Sequence, residues 1–173
     1  MANEFAQFTQ TFTEESLESL QGMESILLHM NLNNIDEEEV NFMFRAMHSM
    51  KSNSDIFGYQ DITKFTHGIE GFFDLVRSGL HQLTQNDVNL LLKSVDCLRS
   101  IMICIQEKSP IDYSCISDLN GKLSNIKNQD DKNVLLPLKS ETNKSEMTKK
   151  KYKKIKSNKT TSVSFHIKYT NLN

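Results

Sequence analysis

The stretch of sequence that decides the fold is VNFMFRAMHSMK, residues 40–51. Its apolar residues Val40, Met43, Phe44 and Met47 share one face of an α-helix, because their spacing follows the helical repeat. His48 comes directly after Met47 and therefore lies at the margin of that face. The stretch predicts a bundle helix that has one buried face and a histidine at the edge of it.

This helix has recognisable ends, and a longer helix precedes it. Asp36 stands three residues before Glu39, which is an N-cap arrangement, and Gly58 is expected to end the helix. Residues 31–34 break a first helix that we expect over about Glu4–Met30. The apolar face of the first helix consists of Phe5, Phe8, Phe12, Leu20, Met23, Leu27 and Met30.

Three more helices are predicted towards the C-terminus. The third covers about Asp61–Ser78 and ends at Gly79, and the fourth begins at the capping-box residues Thr84 and Asp87. The fifth begins at Ser109-Pro110, since proline lacks only an N–H that has no partner in a first turn. The apolar face of the third helix consists of Ile62, Phe65, Ile69, Phe72, Phe73 and Val76. That of the fourth consists of Val88, Leu91, Leu92, Val95, Leu98, Met102 and Ile105, and that of the fifth of Ile116, Leu119, Leu123 and Ile126.

These patterns predict an all-α fold, an antiparallel four-helix bundle with a fifth C-terminal helix over residues 1–126. Lysine, serine and asparagine dominate residues 127–161, so this segment is expected to be a flexible linker. Residues 162–173 alternate in polarity and form a possible first strand of a truncated second domain. We therefore expect the chain to be the opening part of a longer protein.

Composition excludes several classes of protein. The net charge of −2 is too close to neutral for the whole chain to bind nucleic acid or a membrane surface. The lysine run at 149–154 is interpreted as part of a solvated tether, with an acidic lipid or nucleic acid as the alternative partner. No apolar run reaches the roughly 20 residues that span a bilayer, and no signal peptide is recognisable, so a cytoplasmic location is expected.

Several residues receive a structural interpretation. Cys97, Cys104 and Cys115 form no C-x-x-C pair. Cys97 and Cys104 lie seven residues apart in an apolar helical pattern and are interpreted as small core residues. The methionines at 43, 47 and 50 are interpreted as core, and His29, His81 and His166 as solvated surface residues. No GxGxxG, P-loop or zinc signature appears, so we expect no cofactor or metal to bind tightly.

Four residues could carry chemistry together. Lys51 follows His48 by three positions on the second helix, and His67 and Glu70 have the same spacing on the third. An unprotonated imidazole nitrogen is a good phosphate acceptor near neutral pH, and a carboxylate on the other nitrogen fixes the tautomer. From spacing alone, a solvated histidine with a structural His–Glu hydrogen bond remains an alternative.

Residues 44–51, FRAMHSMK, resemble the F-R-A-x-H-[ST]-x-K-G signature at the phosphorylation site of histidine kinases of the CheA type. The likeness continues in order over about the first 126 residues. It includes the stretches Phe5–Glu15, Phe57-Gly58-Tyr59, Phe65-Thr66-His67 with Glu70, Leu75–Gly79, and Leu83-Thr84.

The resemblance implies a five-helix phosphotransfer domain in which His48 is the phosphoacceptor. Glu70 would orient His48, and Lys51 and His67 would complete the supporting network. The phosphoryl group would come from ATP on the kinase domain of a partner subunit and pass to an aspartate of a CheY- or CheB-type response regulator. ATP and Mg²⁺ would then belong to these partners, and the chain itself, expected to be monomeric, would be part of a histidine protein kinase without its ATP-binding domain.

One segment departs from the family pattern. Small residues, often Gly-Gly-Ala-Gly, usually follow the lysine, whereas this chain has Ser52-Asn53-Ser54-Asp55. A glycine there leaves room for an incoming phosphate. The alternative function is therefore a non-catalytic helical interaction module, an inactive relic of such a domain.

Overall fold

The computed structural model describes the backbone of residues 2–135 and the side chains of residues 6–126. Within these limits it contains the helices α1 (Ala2–His29), α2 (Glu37–Ile56), α3 (Gln60–Arg77), α4 (Gln85–Glu107) and α5 (Ser114–Leu135), and no strand. α1 packs against α2 and α4, α2 packs against α3, and α5 packs against both α3 and α4. The predicted all-α class is confirmed.

The core is built from the predicted apolar faces. Phe65, Phe72, Phe73, Met43 and Met47 are almost completely buried, together with leucines and isoleucines from α1, α3 and α4. Burial of each such side chain contributes about 1.5–3 kcal/mol relative to exposure. Because Met43 and Met47 are shielded from solvent and Met50 is 2% exposed, these methionines belong to the core and not to a binding surface.

The predicted helix ends are correct where they depend on local residues. Asp36 caps α2 by accepting a hydrogen bond from the N–H of Glu38. Thr84 and Asp87 form a complete capping box at the start of α4, each side chain accepting from the other residue's backbone N–H. Gly58 and Gly79 follow α2 and α3 with φ of 79° and 69°, a left-handed conformation that glycine adopts without strain.

The predicted start of the fifth helix at Ser109-Pro110 is wrong. α4 ends at Glu107, its C-cap residue Lys108 has a left-handed conformation, and residues 109–113 are irregular. The helix begins at Ser114, whose backbone N–H and hydroxyl donate to the Asp112 carboxylate at 2.8 and 3.0 Å. Ile111 and Tyr113 in the connection are partly buried and pack against the core.

The first helix departs from prediction at Phe8, which is 66% exposed and not part of the core. The core of α1 begins one turn later at Phe12, whose ring stacks on Phe57 at 5.2 Å. Phe8 lies beyond this stack, in an open groove that Ile56 and Phe57 also line. The helical spacing of apolar residues in α1 therefore continues one turn further towards the N-terminus than the part of α1 that packs in the bundle.

The cysteines also differ from prediction. Cys97 and Cys115 form a disulfide that joins α4 to α5, whereas Cys104 is a free, half-buried thiol. Cys97 is buried in the core as interpreted, although it is paired, whereas Cys104 is only half-buried. The spacing of 18 residues between Cys97 and Cys115 carries no local signal, because the pair depends on how α5 packs against α4.

The predicted domain limit at 126 falls inside α5, since residues 127–135 continue the helix. Most of the predicted linker at 127–161 and the possible strand at 162–173 lie outside the described residues and stay predictions. None of the helices in the described part of the chain combines the length and apolar character needed to cross a membrane.

Candidate functional site

α2 and α3 bring three of the four predicted site residues into one hydrogen-bonded group. Nδ1 of His48 lies 2.7 Å from Oε1 of Glu70, and Nζ of Lys51 lies 2.6 Å from Oε2 of the same carboxylate. The two helices are joined by a short connection at residues 57–59, so they pack side by side. Glu70 thus uses one oxygen for each of the two α2 side chains.

Exposure differs sharply within this group. The Glu70 side chain is only 10% exposed, whereas that of His48 is 57% exposed. The carboxylate is therefore fixed between the helices, and the imidazole that it holds faces solvent. An incoming reactant can reach the outer side of His48 without any movement of the bundle.

The charge state of Glu70 determines the tautomer of His48. Burial raises the pKa of the Glu70 carboxyl, but hydrogen bonds from Lys51 and His48 and their positive charges outweigh burial and hold the pKa below its ordinary value. The carboxylate is ionised at neutral pH and can only accept, so Nδ1 of His48 must carry the hydrogen and donate it. Nε2 then has the free lone pair and is the nucleophilic atom of this site.

The segment that replaces the glycines is ordered by hydrogen bonds. Ser54 is fully buried, and its hydroxyl lies 3.0 Å from both the Lys51 carbonyl oxygen and the Thr63 hydroxyl of α3. Ser52 donates to the His48 carbonyl oxygen at 2.9 Å, and Asp55 accepts from Gln60 at 3.2 Å. Ser54 thus ties α2 to α3 directly after Lys51.

His67 is not part of this hydrogen-bonded group. It is exposed on α3, and within the described residues it makes no hydrogen bond or ion pair with His48, Lys51 or Glu70. Its predicted supporting role stays a prediction.

Sequence reasoning missed a ring beside the imidazole and a cation that contacts that ring. The Phe44 ring lies 6.2 Å from the His48 ring at an interplanar angle of 19°, and the Arg77 guanidinium lies 4.3 Å from the Phe44 centroid. The i, i+4 spacing of Phe44 and His48 was a signal for the first contact. Arg77 had none, because its position depends on the packing of α3 against α2.

His81, predicted to be a solvated surface residue, forms a second histidine–carboxylate pair. Its Nε2 lies 3.0 Å from Oδ2 of Asp87, with side-chain exposures of 12% and 7%, and its ring meets the edge of Phe72. The surface interpretation was wrong because the loop after α3 folds back onto the start of α4. This pair holds that loop and, unlike His48, offers little access to a reactant.

Comparison with known proteins identifies a matching family model and several relatives. A family model described as the Hpt domain matches residues 7–101. The chemotaxis protein CheA of Salmonella typhimurium is 35% identical over 99 residues, which cover 57% of this chain and 15% of that relative. CheA of Rhizobium meliloti is 32% identical over 117 residues, covering 68% of this chain and 15% of that relative. The chain therefore spans only a small part of the length of these relatives.

A solved structure has the same fold. The phosphorylated P1 domain of CheA3 in complex with CheY6 from R. sphaeroides superposes with a TM-score of 0.64 at 22% sequence identity. The superposition covers 72% of this chain and 98% of that chain. At this level of identity the likeness establishes the five-helix fold.

Proposed function

The chain belongs to the Hpt domain family, and from this premise we propose that it is the histidine phosphotransfer module of a CheA-type chemotaxis kinase, with His48 as the phosphoacceptor. The observation that carries the proposal is the arrangement of one imidazole. Its Nδ1 is bound by a buried carboxylate, while the ring is 57% exposed. A histidine held in this way is both oriented and accessible.

The first step is phosphorylation of His48. The Nε2 lone pair attacks the γ-phosphorus of ATP on a kinase domain, the bond to the β-phosphate oxygen breaks, and ADP leaves. The imidazole ring gains a formal positive charge, and its Nδ1–H remains hydrogen-bonded to the Glu70 carboxylate. Because that carboxylate is fixed before the reaction, it stabilises the charge without reorganisation. Lys51 keeps Glu70 ionised and in place.

The second step returns the site to its starting state. A carboxylate oxygen of an aspartate on a CheY- or CheB-type response regulator attacks the phosphorus, the P–N bond breaks, and neutral imidazole is restored. Support for such a partner comes from the P1 domain of CheA3, which was solved in complex with CheY6. ATP and Mg²⁺ are assigned to the kinase and regulator partners, and we propose that the chain itself acts as a monomeric substrate without a cofactor.

A transfer assay tests this proposal. The full chain is incubated with a CheA-type kinase core and ATP labelled on the γ-phosphate, and the receiver domain of a response regulator is then added. We expect label that is acid-labile and base-stable on the wild type, no label on His48→Gln, and loss of label to the regulator. His81→Gln removes the other histidine of a histidine–carboxylate pair and is the matched control that keeps its label.

The same assay distinguishes the proposal from a non-catalytic interaction module. A wild-type chain that binds the kinase core but stays unlabelled, while the core labels its own substrate domain, would support the non-catalytic module. Label that persists in His48→Gln would assign the acceptor to another residue.

A further inference from the structure

Phe44 and Arg77 contact the phosphoacceptor region but take no part in the proposed chemistry. Phe44 lies one turn before His48 on α2, and the two rings are nearly parallel with centroids 6.2 Å apart. Arg77 is the last residue of α3, and its Cζ lies 4.3 Å from the Phe44 centroid, within the range of a cation–π contact. The Phe44 ring therefore contacts both the imidazole of His48 and a guanidinium from α3.

The charge of Arg77 is not neutralised by a carboxylate. Lys51, which follows His48 by one turn of α2, is bound to Glu70 at 2.6 Å, so that pair is neutral as a unit. Arg45, one turn before His48, lies 3.9 Å from Glu38. Arg99 is likewise bound to Glu24 at 2.6 Å. In the part of the chain that the structure describes, the Arg77 side chain makes no ion pair and is exposed to solvent.

Phosphorylation of His48 would create a strong ligand for this cation. A phosphoryl group carries a charge of about −1.5 to −2 near neutral pH and offers three acceptor oxygens. The planar guanidinium of arginine matches two such oxygens, and these charge-assisted hydrogen bonds are stronger than an exposed contact with a ring face. Among the described residues, the contact with Phe44 is the one interaction of the Arg77 side chain, so neither an ion pair nor a hydrogen bond opposes its rotation towards a phosphoryl group.

We propose that Arg77 is a phosphoryl-binding residue, which rests on the Phe44 ring until phosphorylation of His48 and then binds the phosphoryl oxygens. This role rests on the proposed function. It assigns to the last residue of α3 the recognition of the phosphorylated state, whereas Glu70 and Lys51 prepare the unphosphorylated imidazole.

The test uses the full chain, phosphorylated with phosphoramidate, a small phosphodonor that requires no kinase. The pKa of the phosphoryl group on His48 is measured by ³¹P NMR titration in the wild type, Arg77→Gln and Arg77→Lys. Lys93→Gln is the matched control, because it removes an exposed cation from α4, away from the α2–α3 pair. Far-UV circular dichroism verifies that each variant is folded.

A nearby cation favours the dianionic phosphoryl group and lowers its pKa. We therefore expect Arg77→Gln to raise this pKa by roughly 0.2–0.7 unit, the shift that corresponds to the strength of a solvent-exposed ion pair. Arg77→Lys should recover most of the shift, and Lys93→Gln should match the wild type. The difference should shrink in 1 M salt, where the screening length is about 3 Å, whereas a purely structural effect would persist.

Two results would overturn the assignment. A phosphorylated wild type whose phosphoryl pKa equals that of Arg77→Gln, or an Arg77→Lys variant that recovers nothing, would exclude Arg77 and leave the phosphotransfer function standing. A wild-type chain that acquires no phosphoryl group on His48 from phosphoramidate or from a kinase core would overturn both the assignment and the proposed function.

Discussion

At the scale of single residues, Glu70 is the side chain on which the site depends. It is the one buried acid between α2 and α3, and it binds His48 and Lys51 at the same time. We propose that the carboxylate orients the imidazole before phosphorylation and balances its positive charge afterwards. Without Glu70, His48 would still be exposed, but neither ring nitrogen would be fixed as the unprotonated one.

Glu70→Gln should slow phosphorylation of His48 by a kinase core about ten- to hundred-fold, the usual effect of removing an orienting carboxylate from a histidine. The amide retains the shape of the side chain but not its charge. The initial rate of labelling from γ-labelled ATP measures the effect, and Asp74→Asn removes an exposed acid from the same helix as a control. Equal rates for wild type and Glu70→Gln would mean that the pair has only a structural role.

The lowered pKa of Glu70 also predicts a pH dependence of stability. The folded-state pKa of Glu70 lies below its unfolded-state pKa, which is about 4.3. The ionised carboxylate therefore stabilises the fold fully above the unfolded-state pKa, and this stability is lost as the pH falls through the folded-state pKa. Wild type should therefore lose more unfolding free energy than Glu70→Gln between about pH 5 and pH 3. Urea denaturation across this range measures the difference, and parallel curves would show that the carboxylate is not stabilised by its partners.

At the scale of helices, the α3–α4 connection depends on one carboxylate. Asp87 accepts hydrogen bonds from the Thr84 backbone N–H and hydroxyl and from His81. Thr84→Ala removes the side-chain half of the capping box and should lower the free energy of unfolding by about 1 kcal/mol. Chemical denaturation measures this loss. Asn86→Ala, an exposed change in the same turn, should cost much less, and equal losses would contradict the capping role.

The disulfide between α4 and α5 should stabilise the fold. In the chain-entropy account, closing a loop of this length stabilises the fold by about 3 kcal/mol. Wild type should therefore unfold at lower denaturant concentration when a reductant is present. Cys115→Ser should show the lower stability under both conditions, whereas Cys104→Ser should still respond to reductant. Three reactive thiols in the denatured, unreduced chain would disprove the pairing.

The helix scale also shows what the sequence can predict. Asp36, Thr84 and Gly79 were predicted correctly because a cap depends on residues within one turn. The start of α5 was not, since it depends on Asp112 and on the burial of Tyr113 against distant helices. The apolar period identified the core faces, but it could not show where the bundle ceases to cover α1.

The candidate site, too, could be predicted only where it depends on the spacing of residues within one helix. The i, i+3 spacings predicted that His48 and Lys51 share one helix face and that His67 and Glu70 share another. They could not show which member of the second pair turns towards α2; the structure buries Glu70 and leaves His67 outside. The contacts of Arg77 with Phe44 and of His81 with Asp87 arise from packing between elements, so no local pattern indicated them.

At the scale of the whole molecule, the predicted division into a helical domain and a linker remains to be tested. The helix α5 continues to Leu135, beyond the predicted limit at 126. In brief digestion of the full chain with trypsin, we expect the first cuts among the lysines at 149–159, because the composition there favours a solvated linker. The remaining core should keep its thermal transition. Early cuts within α1 to α4, or protection of the lysine run, would contradict this division.

The central claim is that Nε2 of His48 accepts the phosphoryl group because Glu70 occupies Nδ1. Nitrogen–phosphorus NMR correlation on the ¹⁵N-labelled chain, phosphorylated by a CheA-type kinase core, measures this directly. We predict that the phosphorus couples to Nε2 of His48 and that Nδ1 keeps its hydrogen. Coupling to Nδ1, or to the ring of any other histidine, would contradict the account.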